Sequence, residues 1–247
     1  MYMSLQGKLF AAPLVAGVPG AFRWVGNMPD FAPAFDTDKF EHKEAWSGQR
    51  QTDLIITTAN TSKISGTIED WSPANVAMLT RGKAIKQPTA AVTGELSPAA
   101  LAVGDIWALK NVKVTTVVIT DSAVTPATLV LNTNYTVDPE MGTITMVNMG
   151  AFTLPLKAAY TPTAVDIVSF FNQPITEVAL RFEGINTADG NKKVLVEFYR
   201  VAVDPTSEFP LIHEEAGQTK LDGNLLIDPT KAISDQFGQF GRMVYLP

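Results

Sequence analysis

The chain has 247 residues, of which 46% are apolar and only 18% charged, with a net charge of -6 and a pI near 5.0. That length allows one β domain, or one domain carrying a smaller insert, and the low charged fraction points to apolar surface covered by neighbours. With 19 cations against 25 acids, tight binding to a phosphate backbone is disfavoured; with no cysteine, disulfides and thiolate metal sites are excluded and a cytosolic origin is favoured.

In chain order, Leu9 to Phe22 is an apolar segment after Lys8 that has the length of a signal-peptide core. Pro13, Gly17, Pro19 and Gly20 break it, which argues against that reading, and no other segment approaches the ~18 uninterrupted apolar residues of a membrane-spanning helix. From Phe31 to Glu44 the residues alternate loosely and predict a long strand that is charged on both faces at its far end. After the Ser47-Gly48 turn signal, Thr52 to Thr58 and Lys63 to Glu69 suit two strands, the second alternating Ile64, Gly66, Ile68 against Ser65, Thr67, Glu69. The expected result is a long hairpin whose polar tip, Ala45 to Gln51, protrudes. Trp46 and Arg50 in that tip either pack back on their own strand or meet another subunit, because Trp and Arg are enriched at interface hot spots.

Ser72 as N-cap, Pro73 at the first helical position and Val76, Met78 and Leu79 as the apolar face predict one short helix ended by Gly82. The composition then changes. Residues 84–100 are rich in Ala, Pro and Thr, and short strands are predicted at Ile106 to Leu109, Thr115 to Thr120, Thr128 to Leu131, Tyr135 to Asp138, Thr143 to Met149 and Leu156 to Tyr160. Pro139 to Gly142 is a reversal signal between the strands Tyr135 to Asp138 and Thr143 to Met149. This block, 84–165, reads as an inserted β domain, with 1–83 and 166–247 forming one discontinuous domain around it. Past Pro174, Ile175 to Gly184 places Val178, Leu180 and Phe182 inward and Glu177, Ala179, Arg181 and Glu183 outward. Ala188 to Asn191 is a turn, Lys193 to Val203 the partner strand, and Gln218 to Asp228 a further strand region. The end, Phe237 to Tyr245, is either the last strand or an arm laid on a neighbour. The fold class expected is mainly β, a sandwich or barrel with one flanking helix and the inserted small β domain.

No catalytic constellation emerges. His42 and His213 are the only histidines, and no G-x-S-x-G elbow or phosphate-binding glycine loop is present. His213-Glu214-Glu215 are sequence neighbours without a second ligand pair and read as a solvated acidic turn. Asp36 and Asp38, with Glu41 and Glu44, read as one charged strand face rather than a calcium loop or an acid/base pair. The expectation is no enzyme, no catalytic residue, no metal and no cofactor.

Gly7-Lys8-Leu9, Pro19 to Asn27, Phe40 to Glu44, Ser47 to Arg50 and Thr52-Asp53-Leu54 together resemble tail tube (major tail) proteins of long-tailed bacteriophages of the siphophage type. Thr67 to Asp70 with Ser72 to Leu79, Phe182 to Gly190, Phe198 to Val201 and Leu225 to Gly241 continue the same order, and Asn134 to Asp138 with Gly142-Thr143-Ile144 looks like an insert that some of them carry. The resemblance implies a tail-tube β-sandwich or barrel, assembled as homohexameric rings stacked helically into a hollow tube whose lumen conducts DNA during genome ejection. It implies that Trp46, Ser47, Gly48, Gln49 and Arg50 make the inter-ring contact and that both chain ends are inter-subunit arms. The implied partners are further copies of the chain, tail tip or baseplate and terminator proteins, the tape measure protein, and DNA passing through without specific binding; no membrane is involved. The implied location is the virion tail, built in the bacterial cytoplasm. An acidic wall repels phosphate, so the outward acids Glu41, Glu69, Glu177 and Glu183 are the lumen candidates, although Arg181 and Lys193 interrupt that face. The alternative reading, from the apolar N-terminus and the Trp-bearing loops, is a secreted β-sandwich adhesin or carbohydrate-binding module.

Overall fold

Turn residues punctuate β-forming runs along most of the chain, and the fold is mainly β, with one helix among the described residues. The computed structural model describes residues 2–246 apart from 215, 232, 233 and 235. The strands and helix run β1 (Leu5–Val15), β2 (Val18–Pro19), β3 (Arg23–Trp24), β4 (Asp30–Lys43), β5 (Thr52–Ile68) and α1 (Pro73–Leu79). Next come β6 (Lys83–Lys86), β7 (Val92–Leu96), β8 (Ile106–Ala108), β9 (Val114–Thr120), β10 (Tyr135–Asp138), β11 (Thr143–Met146), β12 (Lys157–Pro162) and β13 (Asp166–Ser169). The chain closes with β14 (Glu177–Asn186), β15 (Lys192–Val203), β16 (Thr219–Leu225) and β17 (Gly241–Tyr245). Two units result, Met1–Lys83 with Val168–Pro247, and Ala84–Ile167.

The first unit is a nine-stranded sheet in the order β2-β1-β14-β15-β16-β5-β4, with β3 also on β1 and β17 also on β15. Strand β15 is long enough to hold two neighbours along one edge: Val194 to Phe198 pair with β17, and Val201 to Val203 with β16. Leu9, Val25, Ile64, Ile68, Leu180, Val201 and Leu221 form the core, and Phe31 of β4 meets Phe198 of β15 edge-on with ring centroids 6.0 Å apart. Each such side chain contributes roughly 1.5–3 kcal/mol by leaving water, so these central strands hold the unit together.

Helix α1 begins at Pro73, which fits a first-turn position with no N–H to satisfy, and ends where the Thr80 hydroxyl donates to the Val76 carbonyl at 2.7 Å. Ser72 stands at the N-cap but makes no side-chain cap; its N–H donates to Asp70. The buried helical residues are Asn75, Met78 and Leu79, so Asn75 joins the face on which Val76 was expected. The Asn75 amide donates to the carbonyls of Val25 (2.6 Å) and Asp70 (2.8 Å) and accepts from Arg23, tying the helix to the segment after β3. Gly26 lies in that segment at φ +99, and a Cβ there would stand 2.2 Å from that of Asp70, so only glycine fits.

Several expectations need correction. Thr52 to Thr58 and Lys63 to Glu69 are not two strands but the single β5, because pairing with β4 continues through the polar stretch between them. Thr128 to Leu131 is not a strand but makes isolated bridges at Thr128 and Leu131. Ala179 is buried rather than outward, opposite an equally buried Ala12, since β14 is central and both side chains are small. The apolar segment Leu9 to Phe22, whose prolines and glycines argue against a signal-peptide core, runs through β1 and β2, with Leu9, Ala11 and Ala12 all buried. Both chain ends pair within the chain's own sheet: β1 with β14, and β17 with β15.

The second unit contains two three-stranded sheets, β10-β11-β8 and β7-β12-β9, that share a core including Trp107, Ile119, Tyr135, Ile144, Leu156 and Tyr160. Its loops are tied by side chains. Gln87 donates its amide to the carbonyls of Val112 and Thr163, both at 2.8 Å, and the buried Asp121 carboxylate accepts from the N–H groups of Ala127 (2.7 Å) and Thr153 (3.2 Å). Those bonds hold the Asp121 carboxyl below its ordinary range. The chain enters this unit on β6 and leaves it on β13, and the two strands pair with each other.

Candidate functional site

Strands β4 and β5 pair antiparallel from Asp30 opposite Thr67 to Lys43 opposite Thr52, with bulges at Asp38/Lys39 and His42/Lys43. At the base of this hairpin β5 buries Ser62, Ile64, Gly66 and Ile68 and pairs on its other side with β16 from Lys63 to Ile68. Beyond that base, among the described residues, β5 has only β4 beside it. From residue 36 to residue 61 every side chain except Glu44 is exposed. Phe40, Leu54, Ile55 and Ile56 lie in this region, and because Leu54, Ile55 and Ile56 are consecutive they present apolar side chains on both faces. Polar cross-strand contacts hold the ribbon: His42 Nδ1 lies 2.6 Å from Asp53 Oδ1, and the Thr37 hydroxyl donates to Asn60 at 3.2 Å. A two-stranded hairpin standing alone is marginal in water, and contiguous exposed apolar surface marks an interaction site.

The tip is organised around Glu44, the one buried residue of the projection. Its carboxylate accepts from the Ser47 hydroxyl, from the N–H groups of Ser47 (2.8 Å) and Trp46 (2.9 Å), and from that of Gln51 at 3.3 Å. Its own N–H donates to the Gln51 carbonyl at 2.9 Å and closes the loop. The Ser47 hydroxyl, followed by the Ser47 amide, holds the Glu44 carboxyl down at about 2 from an ordinary 4.5, outweighing the opposing effect of burial. Gly48 and Arg50 adopt positive φ to complete the turn. Of the five tip residues expected at the inter-ring contact, Trp46, Ser47, Gly48, Gln49 and Arg50, all are exposed, and Trp46 shows 86% of its surface to solvent. Trp46 therefore does not pack on its own strand. The role of Glu44 escaped the sequence reading, which placed it on a charged strand face; a serine three residues after an acid, just before a glycine, is the signal that points to such a loop.

The four lumen candidates stand in different settings. Glu41 is on the exposed hairpin opposite Ile55, and Glu69 is half-buried and accepts from Asn27 at 2.6 Å and Gln218 at 3.1 Å. Glu177 takes a two-pronged pair from Arg200 at 2.7 Å, which lowers its pKa, and Glu183 accepts from Arg181 at 2.7 Å. A row across five strands runs Trp24, Phe10, Arg181, Glu197, Arg242, in which Glu197 binds both arginines, at 3.0 and 2.7 Å. Only Glu177 and Glu183 share a strand, and each has an arginine partner. The sheet face that carries them is charge-balanced.

The remaining polar candidates are dispersed. Asp36 accepts from the Thr37 N–H at 2.8 Å, while the His213 ring lies 5.7 Å from that of Trp71, which stacks on Phe209 at 4.5 Å. Glu215, the last member of the acidic run, lies outside the described residues. Among the described residues no group of three His, Cys, Asp or Glu is placed to hold a metal, and no helix is long and apolar enough to cross a membrane.

A family model described as Protein of unknown function UCP028589 matches residues 2–244 of the chain. No curated protein matches it.

Proposed function

The chain belongs to this family, whose description gives no activity, and we propose that it is a structural subunit of a bacteriophage tail tube. In this reading homohexameric rings stack helically into a hollow tube in the virion tail, built in the bacterial cytoplasm, and DNA crosses the lumen during ejection. Tail tip or baseplate, terminator and tape measure proteins are its partners, and the chain has no catalytic role.

The observation that carries the reading is the projecting hairpin. Residues 36–61 form a ribbon with apolar side chains on both faces, ending in a tip held by Glu44 that offers Trp46 and Arg50 to a neighbour. A free monomer gains nothing from that surface, whereas a repeating assembly covers it on every copy. The ordered motifs that resemble tail tube proteins, and a net charge of -6 that keeps phosphate from adhering, support the same reading. Electron microscopy of the purified, concentrated protein is expected to reveal rings or hollow tubes. Compact monomers alone at high concentration reject the proposal.

A further inference from the structure

The first unit contains an open groove of about 860 Å³ whose walls include Leu5, Phe31, Phe35, Phe182, Phe240 and Met243. Asp30, which is exposed, and Arg242 also line it. We infer that this groove is the receptor for the Trp46 tip of a second copy of the chain, an inference that rests on the stacked-tube reading and names the surface that each tip meets.

Reach rules out the chain's own tip. Phe35 lines the groove and β4 continues from it to Lys43 before the turn, so at about 3.3 Å per residue the tip stands roughly 25–30 Å away on a rigidly paired ribbon. The chemistry is matched on both sides. An exposed indole on a loop ordered by Glu44 loses little entropy on docking, and an aromatic-lined groove of this size accepts a large apolar side chain with its flanking residues. Two charged residues line the groove: Arg242 is neutralised by Glu197 at 2.7 Å, and among the described residues Asp30 has no ion-pair partner, so Lys43 and Arg50 of an incoming tip meet an acid there. Because tip and groove lie at opposite ends of one hairpin, every copy offers a knob and a hole, which lets addition repeat head-to-tail as stacked rings require.

The chain has no cysteine, which makes the test direct. Gln49→Cys in one preparation and Pro33→Cys in another are mixed under assembly conditions and oxidised; Pro33 lines the groove, and both positions are exposed. A disulfide needs Cα atoms within about 7 Å, so docking between chains raises its yield above that of random collision, which a pairing of Gln49→Cys with Thr57→Cys, at an exposed position, measures. The expected result is a cross-linked dimer in the mixture, with its yield at limiting concentration cut by Trp46→Ala, which weakens docking roughly thirtyfold as for a hot-spot residue. Arg50→Asp is expected to reduce the yield, and Asp30→Arg on the partner preparation to restore it. Tubes that assemble without this cross-link overturn the inference and leave the tube reading standing. Persistent monomers overturn both. A bound small apolar molecule, seen as added mass by native mass spectrometry, that blocks the cross-link without blocking assembly assigns the groove to another occupant and overturns the inference.

Discussion

Glu44 shows how one side chain converts a loop into a presented surface. Four donors converge on its carboxylate, and those bonds are stronger to the ionised form than to the protonated one. A carboxyl held at about 2, below its ordinary 4.5, contributes order to the tip that is fully present above pH 4.5 and is lost as pH falls toward 2. The amide resonances of Trp46 and Ser47 are therefore expected to titrate with a midpoint near 2; a midpoint near 4.5 contradicts the geometry. Glu44→Ala is expected to leave the core folded while slowing assembly about tenfold or more, followed by light scattering, because the N–H groups of Trp46 and Ser47 lose the acceptor that orients them.

At the scale of elements, the hairpin and the sheet that carries it answer to different forces. The sheet is held by buried Leu180, Val201 and Leu221, whereas the distal hairpin is held by backbone pairing and a few polar contacts. Replacing residues 36–61 with a two-residue Asn-Gly turn is accordingly expected to keep the thermal midpoint of the first unit within a few degrees while abolishing assembly, read by calorimetry and sedimentation. A collapse of the midpoint would mean that the ribbon supports the core. This division also explains what the sequence reveals. Strand β4, the tip and the β14–β15 pair were legible because alternation and turn residues coincide there. The continuity of β5 was hidden by Ala59-Asn60-Thr61-Ser62, a polar stretch typical of loops, because on a ribbon exposed on both faces pairing decides the conformation and burial leaves no pattern. Strand β1 was hidden for the opposite reason: adjacent Ala11 and Ala12 are both buried, so alternation disappears. The groove is built from β1, β4, β14, β15 and the C-terminal segment, which no local window brings together.

At the scale of the whole molecule, the chain carries two cores. The second unit buries Trp107, Ile119, Ile144 and Leu156 in its own cluster, and its loops are closed by Gln87 and Asp121 from within. Residues 84–167 expressed alone are expected to fold, with dispersed NMR shifts and a cooperative melt, and a chain in which a short linker replaces them is expected to assemble as the full chain does. Loss of assembly on excision would give the second unit a part in the lattice.

The paired strands β6 and β13 bring the two ends of that unit side by side, at the roughly 4.8 Å spacing of neighbouring strands. The junction thus works as a socket with a fixed gauge, indifferent to what is plugged into it provided that the cargo's own termini are adjacent. In the proposed tube each subunit would carry whatever domain occupies the socket, and changing the cargo need not alter the sequence of the first unit.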